Sequence, residues 1–177
     1  DKYNLDMICM GRTALRLFKA TGEAKYEKAC RRLIEQIKGQ PTTAEGGFWH
    51  KKLYPQQMWL DGIYMACPFL TEFAVTFGEM QWADLAAKQM ELIFEKTRLE
   101  SGLHAHAWDS AKAQKWADPQ TGLSPRVWGR AMGWFVMAHA DVLAALPESH
   151  PDYAQLSLQM KSLLTAVMAA RGADKLW

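Results

Sequence analysis

The sequence predicts an all-α chain built of helical hairpins, and three observations carry that reading. Apolar residues recur at spacings of three and four, which is the period of a helix face. No stretch alternates long enough to argue for a strand. A unit of helix, break and helix occurs three times along the chain.

The first unit is "LDMICMGRTALRLFKA" (5–20), a break at Thr21-Gly22, and "EAKYEKACRRLIEQIK" (23–38). The second is "DGIYMACPFLTEFAVTF" (61–77), Gly78, and "EMQWADLAAKQMELIFEKT" (79–97). The third is "WGRAMGWFVMAHADVLAAL" (128–146), "PESHP", and "DYAQLSLQMKSLLTAVMAA" (152–170). The second helices share a register: Tyr26, Ala29 and Ile37 match Trp82, Leu85 and Ile93, and then Tyr153, Leu156 and Leu164. Each set lies on one helical face. Pro68, inside the third helix, is expected to bend it or loosen a turn. Repeated helix pairs of this kind stack to share a core that one pair alone cannot bury.

Two long loops, 39–60 and 98–127, each lead into the first helix of the next pair. Both are rich in Gly, Pro, Trp and His. Loops of that length are uncommon in compact domains unless they serve a function. The functional end of the stack is therefore expected where these loops meet the helix N-termini.

Composition excludes several classes. The 177 residues suffice for one domain with a sizeable core, read here as a single helical domain over 1–177. Charges of both signs are interspersed and sum to +2, so neither nucleic acid nor an anionic membrane is suggested as a partner. No apolar run reaches membrane-spanning length. Cys9, Cys30 and Cys67 are widely spaced in helical surroundings, as free thiols in a reducing, cytoplasmic setting would be. Eight Trp and ten Met exceed what such a core needs, and the surplus suits a pocket wall. The chain starts without Met and stops abruptly, as a piece of something longer would.

Asp6, Asp61 and Arg130 occupy equivalent places near the starts of the three first helices, so side-by-side packing brings them to one mouth. Asp61 stands among Met58, Trp59, Leu60, Ile63, Tyr64 and Met65. It fits a helix N-cap as well as a catalytic acid. A helix N-terminus lowers a carboxylate pKa, whereas apolar neighbours and a second carboxylate raise it. His50, His104 and His106 offer imidazoles, the usual zinc ligands, but no acid stands at ligand spacing in either loop. Neither a phosphate cradle nor a Ser-His-Asp or Cys-His arrangement is evident.

The strings "NLDMICMGR" (4–12), "GGFWHKKLYPQQMWLDGIYM" (46–65), "GLHAHAWD" (102–109) and "SPRVWGRAMGWFVMA" (124–138) resemble the unsaturated rhamnogalacturonyl hydrolases, glycoside hydrolase family 105. The resemblance is ordered and runs from residue 4 to about 146. It implies an (α/α)6 toroid of six helical hairpins with the active site at the loop-bearing end. About half of that toroid would be present here. The rest would be missing or come from a second chain. By motif, Asp61 corresponds to the general acid/base and Asp6 to a second pocket aspartate. His50, Met65, His106, Trp128, Arg130 and Trp134 match pocket-lining positions. The implied substrate is a small oligosaccharide, the unsaturated galacturonyl-rhamnose disaccharide released from pectin, with no metal or cofactor required. On this reading the apolar surroundings favour the protonated form of Asp61, against the helix N-terminus, and the sequence leaves the balance open. Unsaturated glucuronyl substrates, a sugar epimerase on a related toroid, and a non-catalytic binding module are the alternatives.

Overall fold

The computed structural model describes residues 3–174. The hairpins are α1 (Met10–Thr21) with α2 (Ala24–Lys38), α3 (Leu60–Phe77) with α4 (Gln81–Thr97), and α5 (Gly129–Ala145) with α6 (Tyr153–Ala169). Gly22 and Gly78 end α1 and α3 in the left-handed conformation, at φ 69° and 71°, where any other residue except Asn is strained. Their N–H groups return to the carbonyls of Phe18 and Ala74. Helix α5 stops at Leu146, ahead of Pro147, which has no N–H to extend it. His150 then ties this turn to α4, its Nε2 lying 3.0 Å from Asp84 Oδ1.

Helices α1, α3 and α5 form an inner row, and α3 packs against both of the others as well as α4. The sequence accounts for that central place. Helix α3 is apolar on all sides and buries Phe69, Leu70 and Phe73 completely, whereas α1 buries only Gly11 and Leu15. It runs unbroken through the buried Pro68. Arg12 clamps the row: its guanidinium meets Glu72 of α3 at 2.7 Å and Asp141 of α5 at 2.6 Å.

The shared register of the outer helices holds in part. Ile37, Trp82, Ile93 and Leu156 point inward, but Ala29 and Leu164 are exposed, and their neighbours Cys30 and Leu163 are buried instead. Counted from the matched aromatic residue, α2 and α4 bury the same positions (Cys30, Ile34 and Ile37; Ala86, Met90 and Ile93), whereas the inward face of α6 is turned by one position, about 100°. Cys30 and Cys67 are buried, Cys9 is half-buried, and all three are free thiols.

A small sheet was not expected. The strands β1 (Gln57–Trp59) and β2 (Ala107–Asp109) pair antiparallel, with Met58 opposite Trp108. Three residues per strand are too short to show alternation, so only the pairing reveals them.

Two histidines are sealed in the core. His104 meets Phe94 at a tilt and Phe135 edge to face, and Thr97 Oγ1 lies 2.9 Å from its Nδ1. The Thr97 proton goes to the Ile93 carbonyl, so the imidazole Nδ1 donates. Burial pushes the His104 pKa down to about 4 and also lowers that of His139. Protonating either ring would place a charge among aromatic side chains, so stability is full above the unfolded histidine pKa of about 6.5 and drains as pH falls towards 4. Chemical denaturation should register a loss on the order of 3 kcal/mol from His104 across that range, and His104→Phe should abolish this component.

Among the described residues, no helix is long and apolar enough to cross a membrane.

Candidate active site

Four distant segments meet at the N-terminal ends of α3 and α5 because their backbones are stitched together. Leu5 N–H donates to the His50 carbonyl at 3.0 Å, and His50 N–H donates to Gln57 at 2.8 Å. Leu60 N–H donates to His106 at 3.1 Å, and His106 N–H donates to Arg126 at 3.2 Å. The loops are therefore held by the main chain, which leaves their side chains free to face one another.

Asp61 is the centre of the cluster. Trp59, not Asp61, caps α3, so the carboxylate stands at the second helical residue and engages side chains. Its Oδ2 lies 2.9 Å from His106 Nε2. Its Oδ1 takes Nε and Nη2 of Arg130 at 3.1 and 3.0 Å. Arg130 is likewise the second residue of α5, after the capping Trp128. Two positive helix ends, a guanidinium and an imidazole thus surround one carboxylate whose side chain is 10% exposed. Burial alone would raise the pKa of Asp61. The hydrogen bond from His106 and the charges of His106 and Arg130 outweigh it and hold the group below the usual carboxylate range. The balance the sequence leaves open thus falls against the protonated form that apolar surroundings favour: the bonded partners dominate the solvent exclusion.

Asp6 does not join this carboxylate directly. It lies in a short 3-10 turn at Leu5–Met7 and pairs with Lys51 Nζ at 2.6 Å. His50 stands near both acids, with Nε2 3.5 Å from Asp6 Oδ1 and a ring that feels the charge of Asp6 and of Asp61. Burial, opposed by the two carboxylates, pushes the His50 pKa down to about 4, so the ring is neutral. Its Nδ1 is buried without a hydrogen-bond partner among the described residues.

Aromatic rings enclose the polar groups. Trp59 stacks between His50, at 4.7 Å, and Tyr54, at 5.1 Å, and meets the His106 ring near its edge. Trp128 meets His106 from another side and carries the Arg130 guanidinium 3.8 Å above its own ring. Trp134, one turn below Arg130, packs on Tyr64 at 4.6 Å. Met65, one turn below Asp61, is half-buried against the core. His104, the third histidine of the loops, sits in the core apart from this group. Tyr54 and Lys51, which were not among the expected pocket residues, complete the arrangement with Trp59, one of the tryptophans in surplus of what the core needs. One signal for Trp59 lay in the sequence: it precedes Asp61 by two places, as Trp128 precedes Arg130.

Gly62 explains how His50 comes so close to α3. A Cβ at this position would lie 2.8 Å from His50 Nδ1 and 2.9 Å from Leu5 Cδ1. In an ordinary helix Gly→Ala gains about 1 kcal/mol. Here Gly62→Ala should instead destabilise by about 1–3 kcal/mol, the cost of overpacking, with the shift read by thermal unfolding.

Comparison with known proteins gives the family and the fold. The model of glycosyl hydrolase family 88 matches residues 1–177. A family 105 glycoside hydrolase from C. acetobutylicum ATCC 824 is 41% identical and superimposes with a TM-score of 0.96, over 99% of this chain and 49% of that one. A possible member of family 105 from Klebsiella pneumoniae, 23% identical with a TM-score of 0.82, shares the fold over 96% of this chain and 45% of that one. Protein Atu3128 of Agrobacterium fabrum is 34% identical over 113 residues, 64% of this chain and 48% of that protein. The chain thus spans about half the length of these relatives, and its three hairpins form about half of an (α/α)6 toroid. The chain belongs to glycosyl hydrolase family 88.

Proposed function

We propose that the chain carries the acid/base half of a glycoside hydrolase acting on 4,5-unsaturated galacturonyl-rhamnose, the disaccharide left when a lyase cuts rhamnogalacturonan. The observation that carries this reading is Asp61, a nearly buried carboxylate fixed between Arg130 and His106 at the edge of an aromatic enclosure. The C4=C5 double bond and the ring oxygen form a vinyl ether. Asp61 gives its proton to C4, and the ring oxygen stabilises the cation that forms at C5. Water adds at C5 and returns a proton to Asp61, so one group serves in turn as acid and base. The hemiketal opens, and rhamnose leaves after rearrangement.

This chemistry requires a protonated Asp61, whereas the free chain holds it ionised. Arg130 reconciles the two. Its side chain is 45% exposed, and its fork suits a second carboxylate. The carboxylate of the unsaturated ring draws Arg130 away from Asp61 and adds a like charge nearby, and both changes raise the Asp61 pKa. His50 is neutral and suited to binding a hydroxyl or the incoming water. Trp128 and Trp134 offer faces for sugar rings. Asp6, paired with Lys51, orients His50.

An apolar groove of about 490 Å³ between α5 and α6, lined by Met132, Val136 and Val167 among others, is where a fourth hairpin of the toroid would seat. That hairpin would belong to the other half of the protein or to a second chain.

The test is loss of the ultraviolet absorbance of the double bond, with unsaturated galacturonyl-rhamnose and an unsaturated glucuronyl disaccharide assayed side by side. Faster consumption of the galacturonyl substrate supports the reading. Preference for the glucuronyl substrate would replace the substrate and leave the chemistry intact, and isomerisation of a saturated sugar would overturn both.

A further inference from the structure

Beside His106 lies a cleft of about 440 Å³, bordered by Trp59, His106, Trp116, Arg126 and Trp128, with Asp61 outside its lining. Its floor is main chain held in register. Ser124 N–H donates to the Ala107 carbonyl at 2.9 Å, Ala107 N–H returns to Ser124 Oγ at 3.1 Å, and the Arg126 carbonyl takes the His106 N–H. Trp116 rides on a loop fixed by Asp109, a fully buried carboxylate that accepts the N–H groups of Ala111, Ala113 and Gln114 at 3.0, 2.8 and 2.8 Å. Gly122 closes that loop at φ 81°, and any Cβ there would collide with the Asp109 carbonyl.

Two side chains of this cleft are uncommitted. Arg12 and Arg130 are paired with carboxylates, but Arg126 is exposed and makes no ion pair among the described residues. Trp116 is half-buried and stacks on no other ring among them. Indole faces beside a free guanidinium suit a sugar ring that carries a carboxylate. A neutral sugar would use the indoles and leave the guanidinium unanswered.

We infer that this cleft is a second sugar subsite that takes a carboxylate-bearing sugar, with its ring against Trp116 and Trp128 and its carboxylate on Arg126. The inference rests on the reading of Asp61 as the residue that protonates the unsaturated ring, because the cleft receives whatever is attached to that ring. It places acidic leaving groups, uronic acids in particular, among the substrates.

The test compares two unsaturated substrates, one with rhamnose as the leaving sugar and one with galacturonate, in the unaltered chain and in Arg126→Gln and Trp116→Ala. In Arg126→Gln the ratio of kcat/KM for the acidic over the neutral substrate should fall about tenfold, through KM rather than kcat. Trp116→Ala should weaken both substrates. A ratio that does not change in Arg126→Gln overturns the inference. If the unaltered chain consumes neither substrate, the hydrolase reading fails, and the subsite is judged by calorimetry with saturated digalacturonate and its methyl ester. Tighter binding of the acid, lost in Arg126→Gln, upholds the subsite. Equal binding of acid and ester sinks it.

Discussion

Asp61→Asn should leave the chain folded and lower consumption of the unsaturated ring by about a thousandfold or more, within the usual range for a lost general acid/base. The amide has the volume of the carboxylate and can still accept from Arg130, so the enclosure keeps its shape. It cannot give a proton to C4 or take one from water. Arg130 is half-exposed and can hydrate when its counter-charge is removed, so thermal unfolding should shift little. Turnover retained in this variant would remove Asp61 as the proton donor. A collapse of the unfolding transition would mean that the loss reports on structure.

Arg130→Met should lower kcat/KM by about a hundredfold, the effect of losing one charge-assisted pairing with the substrate carboxylate. It also has a signature that a simple binding loss lacks. Arg130 is one of the groups that hold the Asp61 pKa down, so its removal moves that pKa up. If Asp61 must be protonated to act, kcat/KM falls as pH rises through the Asp61 pKa of the free chain. That limb should therefore lie at higher pH in Arg130→Met than in the unaltered chain. In the unaltered chain the corresponding limb of kcat should lie above that of kcat/KM, because bound substrate raises the pKa. A limb that stays in place in the variant would show that Arg130 does not tune the acid.

Much of the helical plan is legible in the residues. The glycines at 22 and 78 end their helices in the sequence as in the structure, since left-handed φ values there admit little else. The third hairpin turns where Pro147 forbids continuation. The burial of α3 follows from its apolar character on all sides. Other features were not legible, and for nameable reasons. The inward face of α6 departs by one position from the one α2 and α4 share, because packing neighbours rather than internal period choose the final rotation. The β1–β2 pair is too short to carry a pattern of its own.

The same division runs through the candidate site. The equivalent places of Asp61 and Arg130 in their helices predict that they share one mouth, and their contact at 3.0 Å agrees. Asp6 has the same sequence credentials, yet its carboxylate is taken by Lys51, a residue no periodicity links to it. The three loop histidines look alike in one dimension, but His104 belongs to the core, His50 to the aromatic stack and His106 to Asp61.

By itself the sequence determined the helix pairs, their breaks and the common mouth to which Asp61 and Arg130 come, because these depend on local period and on repeat position. Only the tertiary structure decided the charge state of Asp61. That balance depends on the separation of groups far apart in the chain, and a hydrogen bond at 2.9 Å with a cation at 3.0 Å outweighs the loss of solvent that the apolar neighbours impose.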